Sequence, residues 1–131
     1  WKSNSSSSDS VGNVFAGTYT YTVTVQSVDG ANKYFLDGVQ QATLDLIEGQ
    51  TYIFDWSAAT SHPFRFSTTS NGTHGSGSEY TTGVTTNGTP GSSGAYTQIE
   101  VASGAPTLYY YCTNHSGMGG QINTWVLHTL H

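Results

Sequence analysis

From Thr18 onward, apolar and aromatic side chains recur at every second position in short runs. Tyr19, Tyr21, Val23 and Val25 alternate with Thr20, Thr22 and Thr24, the period of a half-buried β-strand. Asp29-Gly30 is a turn signal, Tyr34-Phe35-Leu36 a short strand, and Asp37-Gly38 a second turn. Ala42 to Ile47 alternates around Leu44 and Leu46. Glu48-Gly49 then turns the chain into Thr51 to Trp56, where Tyr52, Phe54 and Trp56 share one face and Ile53 takes the other. After a polar loop, His62-Pro63-Phe64-Arg65-Phe66 sets Phe64 and Phe66 to one side and Arg65 to the other.

Gly, Ser, Thr and Asn dominate from Ser67 to Gly94. This predicts a long excursion over the surface with one short strand near Tyr80 to Val84. Strand pattern returns at Ala95 to Ala102, with Ile99 and Val101 inward. It continues at Thr107 to Cys112, with Leu108, Tyr110 and Cys112 on one face and Tyr109 and Tyr111 on the other. A final strand is expected from Gln121 to His128. No helical period of useful length occurs. Many short strands separated by turn signals predict an all-β fold, a Greek-key β-sandwich.

Residues 1–17 are polar and carry the serine run Ser5 to Ser8, so they read as a flexible lead or tether ahead of one domain over 18–131. The chain opens at Trp1 rather than a methionine, and a mature or excised form is expected. The full 131 residues suffice for one domain with a real core. The net charge is -5, with only Lys2, Lys33 and Arg65 basic. Phosphate recognition needs clustered Lys and Arg, so a nucleic-acid partner is not expected. No run is long and apolar enough to span a bilayer. The composition suits an extracytoplasmic protein, periplasmic, secreted or surface-exposed.

The chemistry is concentrated in Tyr109-Tyr110-Tyr111-Cys112-Thr113-Asn114-His115-Ser116-Gly117-Met118-Gly119-Gly120, which holds the sole cysteine and the sole methionine of the chain. Cys112, His115 and Met118 follow the spacing Cys-x2-His-x2-Met where an aromatic strand runs into a glycine-closed loop. A lone cysteine or methionine is ordinarily a core filler, and a lone histidine a surface residue. Three soft or borderline ligands in this order make that reading improbable. Thiolate, imidazole and thioether select copper over hard cations, and two histidines, one cysteine and a weak axial methionine form a blue-copper ligand set. The second histidine must come from far upstream, and His62, at the mouth of a strand, is placed for it. Zinc also accepts Cys and His ligands. His74 in the glycine-rich excursion reads as a solvated loop residue, and His128 and His131 as a terminal pair in solvent.

Two stretches resemble cupredoxins, the type 1 copper proteins. Tyr34 to Trp56 followed by His62 is similar to the family's first half, and Leu108 to Met118 resembles its ligand loop, of the short amicyanin type. The resemblance spans Tyr19 to Leu127. The chain also resembles cupredoxin-like domains of large marine bacterial and phage surface proteins. The resemblance implies a cupredoxin-like sandwich holding one copper ion through His62, Cys112, His115 and Met118. It implies a one-electron carrier rather than an enzyme, with a redox partner protein docking near His115. One position departs from the pattern. The family usually has an asparagine after the first histidine, where this chain has Pro63, which lacks an N–H.

Two other classes compete. Cys112 with His62 or His115 as base would form a nucleophilic dyad, which leaves Met118 without a role. The excursion, low charge and many tyrosines suit a structural or display module of a larger extracellular assembly, its metal structural or absent. Asn114, two residues after the cysteine, keeps its N–H and is the residue placed to supply the remaining bond to the thiolate. Asn114→Pro is therefore expected to shift the redox potential of the copper-loaded protein; an unchanged voltammetric midpoint would remove that bond from the account.

Overall fold

The computed structural model describes residues 17–126, and over them the chain is an all-β Greek-key sandwich of two sheets. The strands are β1 (Thr18–Val28), β2 (Ala31–Leu36), β3 (Val39–Gln40), β4 (Leu44–Ile47), β5 (Thr51–Asp55), β6 (Phe64–Ser67), β7 (Val84–Asn87), β8 (Tyr96–Glu100), β9 (Leu108–Cys112) and β10 (Gly120–Trp125). The first sheet runs β3-β2-β1-β5-β8-β7 and the second β4-β10-β9-β6. The polar lead expected before Gly17, and His128 and His131, lie outside the described residues. Among the described residues no helix is long and apolar enough to cross a membrane.

Local sequence dictates the hairpins. In both Asp-Gly turns the two central residues have positive φ, 52° and 85° at Asp29-Gly30 and 49° and 84° at Asp37-Gly38. This is the turn geometry whose twist matches the flanking strands, and Asp-Gly tolerates it. The pairings follow: Val28 faces Ala31, and Leu36 faces Val39. Strand faces then sort by period two. Val23, Tyr34, Leu36, Leu44, Leu46, Tyr52, Phe54 and Trp56 are all buried, as are Phe64, Phe66, Ile99, Val101, Leu108 and Tyr110.

Aromatic rings fill the space between the sheets. Phe64 sits at their centre, stacked on Phe54 at 4.9 Å and on Tyr110 at 5.2 Å, with Tyr34 tilted against it at 5.2 Å. One polar relay crosses this apolar layer. Trp56 Nε1 donates to Thr97 Oγ1 at 2.8 Å, and the same hydroxyl donates to the Phe64 carbonyl at 2.6 Å. Thr97 is on β8 of the first sheet and Phe64 on β6 of the second, so the relay fixes β6, and the turn before it, against the opposite layer.

Two segments differ from the sequence-based expectation. The short strand of the excursion is Val84–Asn87 rather than Tyr80 to Val84. Val84 opens the strand by pairing with Ile99 on the edge of β8, whereas the half-buried Tyr80 uses its N–H on the Phe66 carbonyl at 2.7 Å. Polar Thr85 and Thr86 gave no alternation to read, and partnership with β8 made the strand. The excursion also contains a 3-10 turn, Gly72–Gly75, too short for a periodic signal. The last strand ends at Trp125.

Removing the Thr97 hydroxyl at constant shape leaves the Trp56 N–H and the Phe64 carbonyl without that partner. Thr97→Val is therefore expected to lower the unfolding free energy by roughly 2–4 kcal/mol, and Thr97→Ser by much less, as read from urea denaturation midpoints.

Candidate metal centre

The β5-to-β6 connection and the β9-to-β10 loop meet at one end of the sandwich. Their meeting is set by strand register: Phe64 of β6 pairs with Cys112 of β9, so His62, two residues before Phe64, lies beside the end of β9. Alternation puts the Cys112 side chain in the core with Leu108 and Tyr110, and it is fully buried.

The turn that carries His62 is locked from several sides. The Ala59 N–H donates to the Trp56 carbonyl and the His62 N–H to the Ala59 carbonyl, each at 3.0 Å. The Tyr34 hydroxyl donates to the His62 carbonyl at 2.7 Å and lies 3.0 Å from the Pro63 carbonyl. From the facing loop, the Thr113 N–H reaches the Pro63 carbonyl at 3.2 Å, and Asn114 Nδ2 donates to the Ser61 carbonyl at 3.0 Å. Pro63 itself brings no donor, so it can only receive. The two loops are tied by an asparagine on the cysteine side, Asn114, rather than by a side chain at position 63.

Three ligand atoms converge. Cys112 Sγ lies 3.5 Å from His62 Nδ1 and 3.7 Å from His115 Nδ1, and the three atoms all fall within 4.8 Å of one another. The two imidazole rings are 4.6 Å apart at 50°. A metal held about 2.3 Å from a thiolate and about 2.0–2.1 Å from an imidazole nitrogen separates those atoms by about 3.6–3.8 Å at tetrahedral to trigonal angles. The two sulfur–nitrogen separations match what a shared ion requires. The donor set, one sulfur and two imidazoles without a carboxylate, suits copper or zinc and not calcium or magnesium. The cluster is thus suited to hold one metal ion.

Exposure differs across the cluster. His62 is 7 % exposed and Cys112 is 0 % exposed, while His115 opens to solvent. Burial, and then repulsion from His115, push the His62 pKa down, which favours the neutral imidazole that ligates metals. Met118 is buried on the same loop, and its carbonyl accepts the Tyr34 N–H at 2.9 Å. Burial, and then the adjacent Cys112 sulfur, drive the Tyr34 hydroxyl far above the ordinary phenol range, so it remains a donor.

Two residues at the site escaped the sequence reading. Tyr34 read only as a strand residue, yet it bonds the His62 turn through its hydroxyl and the Met118 carbonyl through its backbone. The signal was a tyrosine rather than a phenylalanine on a buried face, where the hydroxyl must find a partner. His74, expected as a solvated loop residue, is exposed, but its Nε2 lies 2.8 Å from the Cys112 carbonyl. No local pattern announces that contact.

No family model matches the chain, and no curated protein matches it. Among solved structures the chain is similar to rusticyanin from Thiobacillus ferrooxidans, at 18 % identity over 82 % of this chain and 77 % of that one, with a TM-score of 0.46. Crystal structures of rusticyanin variants match at 19 % identity over 82 % and 80 % of the two chains, with a TM-score of 0.43.

The cluster is expected to take up one equivalent of Zn(II) or Cu(II) per chain. At a free metal concentration of a hundred times Kd the protein should gain about 2.7 kcal/mol of stability, seen as a raised unfolding temperature. Cys112→Ser and His62→Ala should each abolish most of that gain in a thermal-shift titration.

Proposed function

We propose that this protein is a mononuclear type 1 copper protein of the cupredoxin kind that carries single electrons. His62, Cys112 and His115 would hold the ion, with Met118 as a weak fourth ligand. The observation that carries this reading is one buried sulfur with two Nδ1 atoms at sulfur–nitrogen separations matching a shared ion. Copper bound there would supply one-electron chemistry between Cu(II) and Cu(I), exchanged with partner proteins and with no substrate bond formed or broken.

Each residue has a separate task. Cys112 gives up its proton on metal binding and supplies the anionic sulfur. His62, kept neutral by burial, needs no deprotonation. His115 presents its outer edge to solvent, and a redox partner protein docks there. Met118, buried on the same loop, would supply the weak fourth ligand, leaving no open position for a substrate. The hydrogen bonds joining Tyr34, Asn114 and Thr113 to the His62 turn hold the ligands in one arrangement, which suits transfer with little movement of atoms. An extracytoplasmic location agrees with the scarcity of charged residues.

The competing Cys-His dyad is disfavoured by access. A nucleophile must meet its electrophile, and Cys112 is 0 % exposed with an imidazole on two sides rather than one.

A visible spectrum of the protein titrated with Cu(II) tests the proposal. An intense thiolate-to-copper band should grow to one equivalent and be absent in Cys112→Ser. Met118→Leu should keep the band and raise the potential, because a donor favouring the more highly charged ion is gone. A folded wild-type protein that shows no such band would leave a metal-staple or display module as the better account.

A further inference from the structure

The long connection between β6 and β7 does more than cover the surface. Its 3-10 turn, Gly72–Gly75, lies on the outer face of the second sheet, directly over Tyr111. That face would otherwise be exposed, yet Tyr111 is 1 % exposed. Gly72 makes the close approach possible: its φ is +55°, and a Cβ there would collide with the Tyr111 ring. The segment is braced internally. Ser67 Oγ donates to the Ser78 carbonyl at 2.7 Å, the Thr69 N–H donates to Ser67 Oγ at 3.1 Å, and the Gly77 N–H closes on the Gly72 carbonyl at 3.0 Å.

Two side chains of this braced segment leave it and grip the ligand loop. His74 Nε2 lies 2.8 Å from the Cys112 carbonyl, with its ring edge-on to Tyr111 at 6.3 Å. A carbonyl can only accept, so Nε2 carries the proton and this bond selects the tautomer. Asn71 Oδ1 accepts the Gly117 N–H at 2.8 Å. Asn71 does so from a left-handed backbone, φ 66°, which asparagine tolerates better than most residues. The two grips fall at Cys112 and at the residue before Met118, the two ends of the segment that contains His115. A cover for Tyr111 alone would need neither of these polar contacts.

We infer that the segment from Asn71 to His74 is a strap that sets the span of the ligand loop, with Asn71 and His74 as positioning residues for the metal centre. The inference rests on the copper reading for its redox consequence but not for its geometry. The strap limits how far the loop can shift when copper changes oxidation state. It acts through the backbone of Cys112 and Gly117, and Asn71 and His74 are not themselves among the proposed ligands.

Asn71→Gly and His74→Ala, singly and together, test it; glycine accepts the φ at position 71 without strain. In the metal-free protein, hydrogen exchange at the Gly117 amide should run about fivefold faster in Asn71→Gly, the factor one net hydrogen bond supports. In the copper-loaded protein, the double variant should still bind one copper, with a displaced thiolate band, an altered midpoint potential and several-fold slower electron self-exchange. His74→Gln, which keeps a donor in reach, should move these values back toward wild type. Variants with wild-type amide exchange, band and potential would overturn the strap and leave the segment as a cover for Tyr111. If the wild-type protein gives no thiolate band, the copper reading falls instead. The Gly117 exchange rate then decides the strap alone, acceleration supporting it and no change overturning it. Should the double variant fail to fold, the single variants carry the same readouts.

Discussion

The pairing of Phe64 with Cys112 across β6 and β9 is the constraint on which the site depends. It does two things at once. It turns both side chains into the core, and it brings the His62 turn against the last residue of the cysteine strand. A slip of one residue in this register would turn Phe64 or Cys112 outward, according to which strand shifted, and displace the His62 turn relative to the sulfur. The register is held by burial: Phe64 and Phe66 on one strand and Leu108, Tyr110 and Cys112 on the other are each buried to within about a percent, and none can be exposed cheaply.

Around this pairing, polar groups are placed where apolar contact could not specify direction. Thr97 links Trp56 to the Phe64 backbone, so the second sheet cannot slide over the first without breaking buried hydrogen bonds. Tyr34 spans the site from beneath, its hydroxyl on the His62 carbonyl and its N–H on the Met118 carbonyl. One residue of the first sheet thereby fixes the height of both loops. Pro63, which brings no donor, is compatible with this design because every bond to its segment comes from elsewhere: from Tyr34, Thr113 and Asn114.

The ligand loop itself is short, glycine-rich and without secondary structure of its own. Such a loop holds a ligand geometry only if its neighbours hold it. Lys33 Nζ of β2 on the Gly117 carbonyl at 2.9 Å and Gln41 Nε2, from the turn after β3, on the Gly119 carbonyl at 2.9 Å restrain it, and Asn71 and His74 reach it from the excursion. A segment whose composition reads as loose surface chain is in this way part of the frame of the candidate centre.

The sequence by itself determined most of the strands, their inward faces and both Asp-Gly hairpins, because each depends on neighbours two to five residues away. It also singled out Cys112 and His115 as candidate metal donors, because their separation of three residues is local. His62 was the upstream histidine the sequence pointed to, but only the tertiary structure brings it, fifty residues from Cys112, to 3.5 Å from the sulfur. The tertiary structure alone decided that Tyr34 serves the His62 turn, that Tyr111 is buried on an outer face, and that His74 binds the Cys112 carbonyl. Strand β7, polar at Thr85 and Thr86, exists because β8 offers it an edge. Periodicity records which side of a strand meets the core, but not which distant polar atom will satisfy a buried carbonyl, and that is settled only when the sheets close.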